Sequence, residues 1–232
     1  IKYTGHYIDH ELVVNIEEDC KRRIDKINNG RPLAVLLTIG GAGAQQEIFM
    51  EIIKFLSEYI KEKKVTLYVN VGDYHKVWDA MSKKMPILKE ATTHFDNWSE
   101  TRKFAAKALE EDVYGIHSFC HSDIFEAVYA TNLLMRSCDL LVTKPSELAF
   151  YPVPKLFIQR VGGHERWGAI HAAEIGDGTI ECDSVDNAIN MLKLLMNDKS
   201  LLEVMNTNII ANKSRGIYNG AYEVVKLATK SM

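Results

Sequence analysis

The first stretch of this sequence that could do chemistry is Gly40, Gly41, Ala42, Gly43, Ala44 and Gln45. It follows an apolar run, Pro32 to Ile39, and precedes a segment with helical periodicity. Glycine and alanine carry too little side chain to keep a ligand off the backbone. Free N–H groups at a helix start point into such a turn, and the helix dipole adds roughly 0.3–1 kcal/mol for an anion. That is chemistry for holding a phosphate. A tight strand-to-helix turn without a ligand would use the same residue types. A Walker A loop needs Gly-Lys followed by Ser or Thr, and Gly43, Ala44 and Gln45 do not supply it. A dinucleotide fingerprint wants a small residue where Gln46 stands, and an acid about 20 residues on. Asp73 comes about 30 residues on, so the match to an NAD site is partial.

Other reactive residues are scattered. His117, Cys120 and His121 have a spacing that would seat a metal on a helix. They fall on a strand end, where the two histidines would not converge, so no metal site is expected. His164 and Glu165 follow Gly162 and Gly163 at a helix start. His164 could approach a phosphate or sugar hydroxyl there, or the pair could simply be a solvated first turn. Ser118 and Ser146 lie in no G-x-S-x-G elbow, so a hydrolase triad has no local support. Trp98 and Trp167 read as core or interface residues.

The elements that must position these residues alternate. Pro32–Ile39 reads as a strand buried on both faces. Gln45–Lys61 has Ile48, Ile52, Leu56 and Ile60 on one helical face. Val65–Val71 is a strand, followed by a helix to about Lys83 that Asp73 could cap. Ser99 could cap a helix to about Glu110. Tyr114–Cys120 is a strand, Asp123–Arg136 a helix, Leu140–Thr143 a strand, Ser146–Tyr151 a short helix and Lys155–Gln159 a strand. Glu165–Ile175 is a helix stopped by Gly176, and Thr179–Cys182 a last strand. Helices follow at Val185–Met196, Leu201–Ala211 and Tyr218–Lys230. Residues 85–98 show no period and read as irregular. Six rounds of alternation predict an α/β fold, a doubly wound, mostly parallel, Rossmann-like sheet with extra C-terminal helices. The expected organisation is a linker and leading helix over 1–30, a Rossmann-like domain over 31–198 and a helical segment over 199–232.

Three stretches together resemble the C-terminal half of GT-B glycosyltransferases. The likeness is greatest to the lipid-acceptor members, the peptidoglycan-precursor N-acetylglucosaminyltransferase and the plant-type galactolipid synthases. Val35–Gln45 resembles the family's first strand and glycine loop. Ile116–His121 resembles the strand end that cups the donor's base. Cys138–Gly176 resembles the long signature: a strand into Lys144, a Ser-Glu start at Ser146 and Glu147, and a helix opening at His164 and Glu165. The resemblance implies a UDP-sugar donor as substrate, with no separate cofactor. It places Phe119 and Cys120 against the uracil, and Glu147 on the ribose hydroxyls, to which a carboxylate offers acceptors. It assigns the diphosphate to Gly40, Gly41, Ala42, Gly43 and Gln45, with Lys144, Ser146, His164 and Glu165 nearby. It also implies an acceptor domain upstream, through which the whole protein would meet a membrane. This fragment alone would then be inactive, and its catalytic residues lie outside it or are unknown. The chain departs from the family between Lys144 and Glu147, where a longer glycine-bearing loop is usual. Two other readings stay open: an inactive binding or assembly module, and a sugar-nucleotide epimerase-like domain.

Composition agrees with a globular domain. Apolar residues are 47% and charged residues 25% of 232. The formal net charge of -3 gives no overall field for nucleic acid. Cys20, Cys120, Cys138 and Cys182 are dispersed without a C-x-x-C pair, and read as thiols of a reducing, cytoplasmic compartment. No signal peptide or membrane-length apolar run is visible.

Overall fold

A computed structural model describes residues 1–40 and 45–230. Its centre is a seven-stranded, all-parallel sheet: β1 Leu33–Thr38, β2 Val65–Asn70, β3 Thr92–Phe95, β4 Gly115–Cys120, β5 Leu140–Thr143, β6 Lys155–Phe157 and β7 Gly178–Glu181. The spatial order is β3-β4-β2-β1-β5-β6-β7. From β1 the chain lays down β2, crosses to the edge strand β3 and fills the gap between them with β4, then returns to β1 and builds the other half outward through β5, β6 and β7. The order therefore reverses between β1 and β5, as in doubly wound folds.

Strand alternation sorts the core into two layers. Leu33, Val35 and Leu37 of β1 join one apolar cluster, with α2 (Gln46–Lys61), α3 (His75–Lys84) and α7 (Val185–Asn197). Ala34 and Leu36 join the other, with α1 (His10–Asn28), α4 (Trp98–Glu110) and α5 (Ile124–Ser137). Every residue of β1 and β2 is buried, which explains their nearly unbroken apolar sequences. α6 (Arg166–Ile175) packs through Ala169 and Ala172 on Phe157 of β6 and ends at Gly176, whose φ of 74° is the left-handed cap expected of glycine.

Helix α1 fixes α5. The buried Arg23 donates from Nε to Cys138 O at 2.7 Å and from Nη2 to Met135 O at 2.7 Å, satisfying carbonyls at the end of α5. Lys26 pairs with Asp139 at 2.5 Å, and Asp139 also accepts from Ala34 N of β1. The C-terminal helices α8 (Ser200–Ser214) and α9 (Gly220–Lys230) continue from α7. α8 packs through Ile209 into a cluster with Val13, Ile16 and Cys20 of α1. Asn212 caps Ile175 O, and Tyr218 donates to Asp177, which is paired with the fully buried Lys155 at 2.8 Å.

Several expectations need correction. The irregular stretch over 85–98 holds a 3-10 turn, Pro86–Glu90, and the edge strand β3. β3 is four residues long and half exposed, too short to show a period. Asp73 does not cap α3, which starts at His75 after Tyr74 without a side-chain cap. Asn97, not Ser99, caps α4 by accepting from Glu100 N. The short helix expected over Ser146–Tyr151 is a single 3-10 turn, Glu147–Phe150.

Candidate functional site at the carboxyl end of the sheet

At the reversal point between β1 and β5 lies a cavity of about 250 Å³. Thr38, Ile39 and Gly40 enter it from the end of β1, and Asn70 and Gly72 from the end of β2. Val128, Thr131 and Asn132 come from α5. Thr143, Lys144, Ser146 and Glu147 come from the end of β5 and the turn after it, with Leu148 and Tyr151 beyond. The carboxyl end of a parallel sheet at its reversal is where open α/β folds bind ligands.

Burial orders this lining. Thr38, Asn70, Asn132 and Thr143 are buried, Lys144 and Ser146 half-buried, and Glu147 exposed. The buried polar groups are thus all uncharged, and charge enters only toward the outside. Asn70 is committed, donating to Thr131 Oγ1 at 2.8 Å and accepting from Gly72 N at 3.0 Å. Asn132 Nδ2 and Thr38 Oγ1, by contrast, are buried without a hydrogen-bond partner among the described residues. Such a group costs roughly 1–3 kcal/mol unless something fills it.

Lys144 crosses the site. Its Cε lies 3.6 Å from where a Cβ on Gly40 would stand, and its ammonium pairs with Glu165. Burial pushes the Glu165 carboxyl up, but the Lys144 hydrogen bond and the Val161 and Gly162 N–H donors outweigh it, and the pKa ends below the ordinary glutamate value. Glu165 therefore stays ionised and holds Lys144 by charge. Ser146 forms no side-chain cap on the turn it precedes, so its hydroxyl is not consumed there.

The other expected site residues part company. Gln45, at φ 69°, sends its amide to the Gln159 carbonyl and ties the start of α2 to the end of β6. His164 is exposed, its ring folded over Gly162, and is not part of the cavity. Gly41, Ala42 and Gly43 lie outside the described residues. Phe119 and Cys120 are both 0% exposed. The Phe119 ring stacks on His94 at 4.7 Å among Tyr68 and Phe104, and Cys120 joins the opposite layer. Burial in that layer drives the Cys120 thiol up to about 12. Their carbonyls accept from Val71 N and Asp96 N. Neither side chain can present a surface to a base, because β4 spends both on the core.

His117 and His121 have separate partners. His117 meets His94 at 3.2 Å and Tyr114 O at 3.1 Å, whereas His121 meets Thr101 at 3.0 Å and Glu126 at 3.3 Å. Among the described residues no three His, Cys, Asp or Glu are grouped to hold a metal. Trp98 packs edge-on against His121 and Tyr129, while Trp167 is 69% exposed and belongs to no core. The four cysteines are buried and unpaired. A larger cavity, about 840 Å³, opens among Met50, Met85, Ile87 and Ile116 at the amino ends of the strands, away from the reversal point.

Sequence reasoning missed Thr38, Asn70 and Asn132. The signal for Thr38 and Asn70 was a polar residue closing each of two apolar strands. For Asn132 it was an amide inside the apolar run of α5.

A family described as "Domain of unknown function (DUF6938)" matches residues 1–229. The chain belongs to that family. No curated protein matches it. Among solved structures, the Neisseria meningitidis UDP-GlcNAc 2-epimerase bound to UDP-GlcNAc is similar with a TM-score of 0.52 at 14% identity, over 93% of this chain and 49% of that one. The S. aureus MnaA–UDP co-structure gives 0.47 at 13% identity, over 86% and 43%. The C-terminal CMP-Kdo binding domain of WaaA from Acinetobacter baumannii gives 0.49 at 11% identity, over 85% and 97%. The chain spans less than half the length of each of the first two. At such identity the likeness to the Neisseria enzyme is one of fold: a doubly wound α/β domain. No helix among the described residues is long and apolar enough to cross a membrane.

Proposed function

We propose that this domain binds a nucleoside-diphosphate sugar, of the UDP-sugar type, at the carboxyl end of its sheet. It acts as the donor half of an enzyme that transfers the glycosyl group to an acceptor hydroxyl. The observation that carries the reading is the cavity at the β1/β5 reversal, with partnerless polar groups inside and Lys144, Ser146 and Glu147 at its outer side. The fold shared with a protein that holds UDP-GlcNAc supports it.

In this reading Glu147 accepts from the ribose hydroxyls. The resemblance assigns the diphosphate to the segment from Gly40 to Gln45, ahead of α2, whose dipole favours an anion at that end. Lys144 adds a point charge. On transfer, the bond from the sugar's anomeric carbon to phosphate oxygen breaks, and the nucleoside diphosphate leaves with the electron pair. The acceptor oxygen forms the new bond and its proton goes to a base in the acceptor domain upstream. Donors fixed there before reaction would stabilise the growing charge on the leaving diphosphate without reorganising. The UDP-sugar is a substrate here, and a soluble nucleotide-sugar pool would place the enzyme in the cytoplasm.

The likeness to the Neisseria enzyme favours a second reading, a sugar-nucleotide epimerase-like domain. Titration with UDP, UMP and NAD tests the binding common to both. The full-length protein given UDP-GlcNAc then separates them, since transfer requires an added acceptor alcohol and epimerisation does not.

A further inference from the structure

We infer that the cavity between β1, β5 and α5 takes the pyrimidine ring of the nucleotide, read by Asn132 and Thr38. This rests on the donor-site reading above and relocates the base within it. At the strand end that the sequence resemblance would give to the base, the Phe119 and Cys120 side chains are enclosed in the core and offer a ring no surface.

The cavity has what a planar heterocycle needs. Ile39, Val128, Leu148 and Tyr151 give it apolar surface, and Thr38 and Asn132 give it neutral polar groups. Asn132 is 2% exposed, and its Nδ2 has no partner among the described residues, nor has Thr38 Oγ1. An amide N–H pair donates only, so it requires an acceptor. A uracil carbonyl is one, and the neighbouring ring N–H can donate to a threonine oxygen. Neighbouring groups hold this arrangement rather than compete for it. Both side-chain polar atoms of Asn70 are engaged, by Thr131 and Gly72, and Thr131 itself donates to Ala127 O at 3.2 Å.

Charge and size agree. A phosphate would be badly placed among buried uncharged residues, and Lys144 and Glu147 sit farther out, where phosphate and ribose would follow. At about 250 Å³ the space is below the roughly 300 Å³ at which pockets for whole ligands begin. It suits the base of a larger ligand rather than a whole nucleotide.

Calorimetry with UDP, CDP, ADP, GDP and pyrophosphate tests this on wild type, Asn132→Leu and Thr38→Val. Wild type should bind UDP at least about tenfold more tightly than ADP, GDP or pyrophosphate. Asn132→Leu should weaken UDP about tenfold or more, the loss of a buried hydrogen bond, and leave pyrophosphate within about twofold. Thr38→Val removes one hydroxyl at nearly constant shape and should act in the same direction. The Asn132 side-chain amide signals in a nitrogen–proton correlation spectrum of wild type should shift with UDP and not with pyrophosphate. Unchanged UDP affinity in both variants, equal loss of UDP and pyrophosphate, or an unmoved Asn132 amide overturns the assignment while leaving the donor site standing. Failure of wild type to bind any nucleotide overturns both.

Discussion

Glu147 and Glu165 stand at the same end of the sheet, and their surroundings give them different work. Glu147 is exposed, on the outer side of the cavity, with its acceptors facing solvent. Glu165 is buried, spends one oxygen on Lys144 and the other on Val161 and Gly162 N–H. Replacing Glu147 should therefore cost binding and not stability. Glu147→Ala should weaken UDP by about 10- to 100-fold, as expected for hydrogen bonds to a charged group, with an unchanged melting temperature. Glu165→Gln should do the reverse in part, since it loosens the loop while freeing the Lys144 charge. Because the folded-state pKa of Glu165 is depressed, its stabilisation is present above the ordinary glutamate value, about pH 4.3, and is lost as pH falls through the folded value. The stability gap between wild type and Glu165→Gln, measured by denaturant titration, should be full at pH 7 and shrink below pH 4.

At the scale of elements, two junctions hold the site in shape. The α5 helix that carries Asn132 begins at Asp123, whose carboxylate accepts from Phe125 N at 2.9 Å and Glu126 N at 3.0 Å. Asp123→Ala should cost about 1 kcal/mol of unfolding free energy. The turn carrying Lys144 to Glu147 packs on α6 at Gly168, where an added Cβ would meet Pro145 O at 2.8 Å and the Ala149 Cβ at 3.0 Å. Gly168→Ala should destabilise the fold by about 1–3 kcal/mol and weaken UDP binding together, because the turn must move. These junctions also show what the sequence can and cannot reveal. The Gly176 stop and the strands β1 and β2 were legible because a left-handed glycine and a continuous apolar run each have a local cause, whereas the caps expected at Asp73 and Ser99 fell one or two residues from the true helix starts. β3 was not, since a short half-exposed edge strand leaves no period. The inward turn of Phe119 was not either, since it depends on which layer of the sheet its strand position faces. Lys144, Ser146 and Glu147 were legible as a motif. The buried polar groups that share their cavity were visible only once α5 was folded over β1.

For the whole molecule, folding brings distant segments into one body, and its acid sensitivity follows. His6, near the start of the chain, contacts Phe150 O at 2.8 Å and His171 at 2.8 Å. Burial lowers His6 to about 4, helped by the His171 and Lys155 charges against the Phe150 carbonyl. Burial likewise lowers His117 to about 4. Both remain neutral when folded while the unfolded chain takes up protons near pH 6.5, so stability is full above about 6.5 and falls progressively toward pH 4. Thermal melts should show this slope, and His6→Gln should flatten part of it. The chain spans less than half the length of the UDP-GlcNAc epimerase it resembles in fold. On the proposed account it binds the donor by itself and turns nothing over. Release of UDP from a UDP-sugar by this chain alone, in a coupled assay, would contradict that division of labour. The most direct test of the central claim is a calorimetric titration of the chain with UDP. The account predicts saturable, one-to-one binding that Glu147→Ala abolishes or weakens at least about tenfold. No heat of binding from UDP up to millimolar concentration would contradict it.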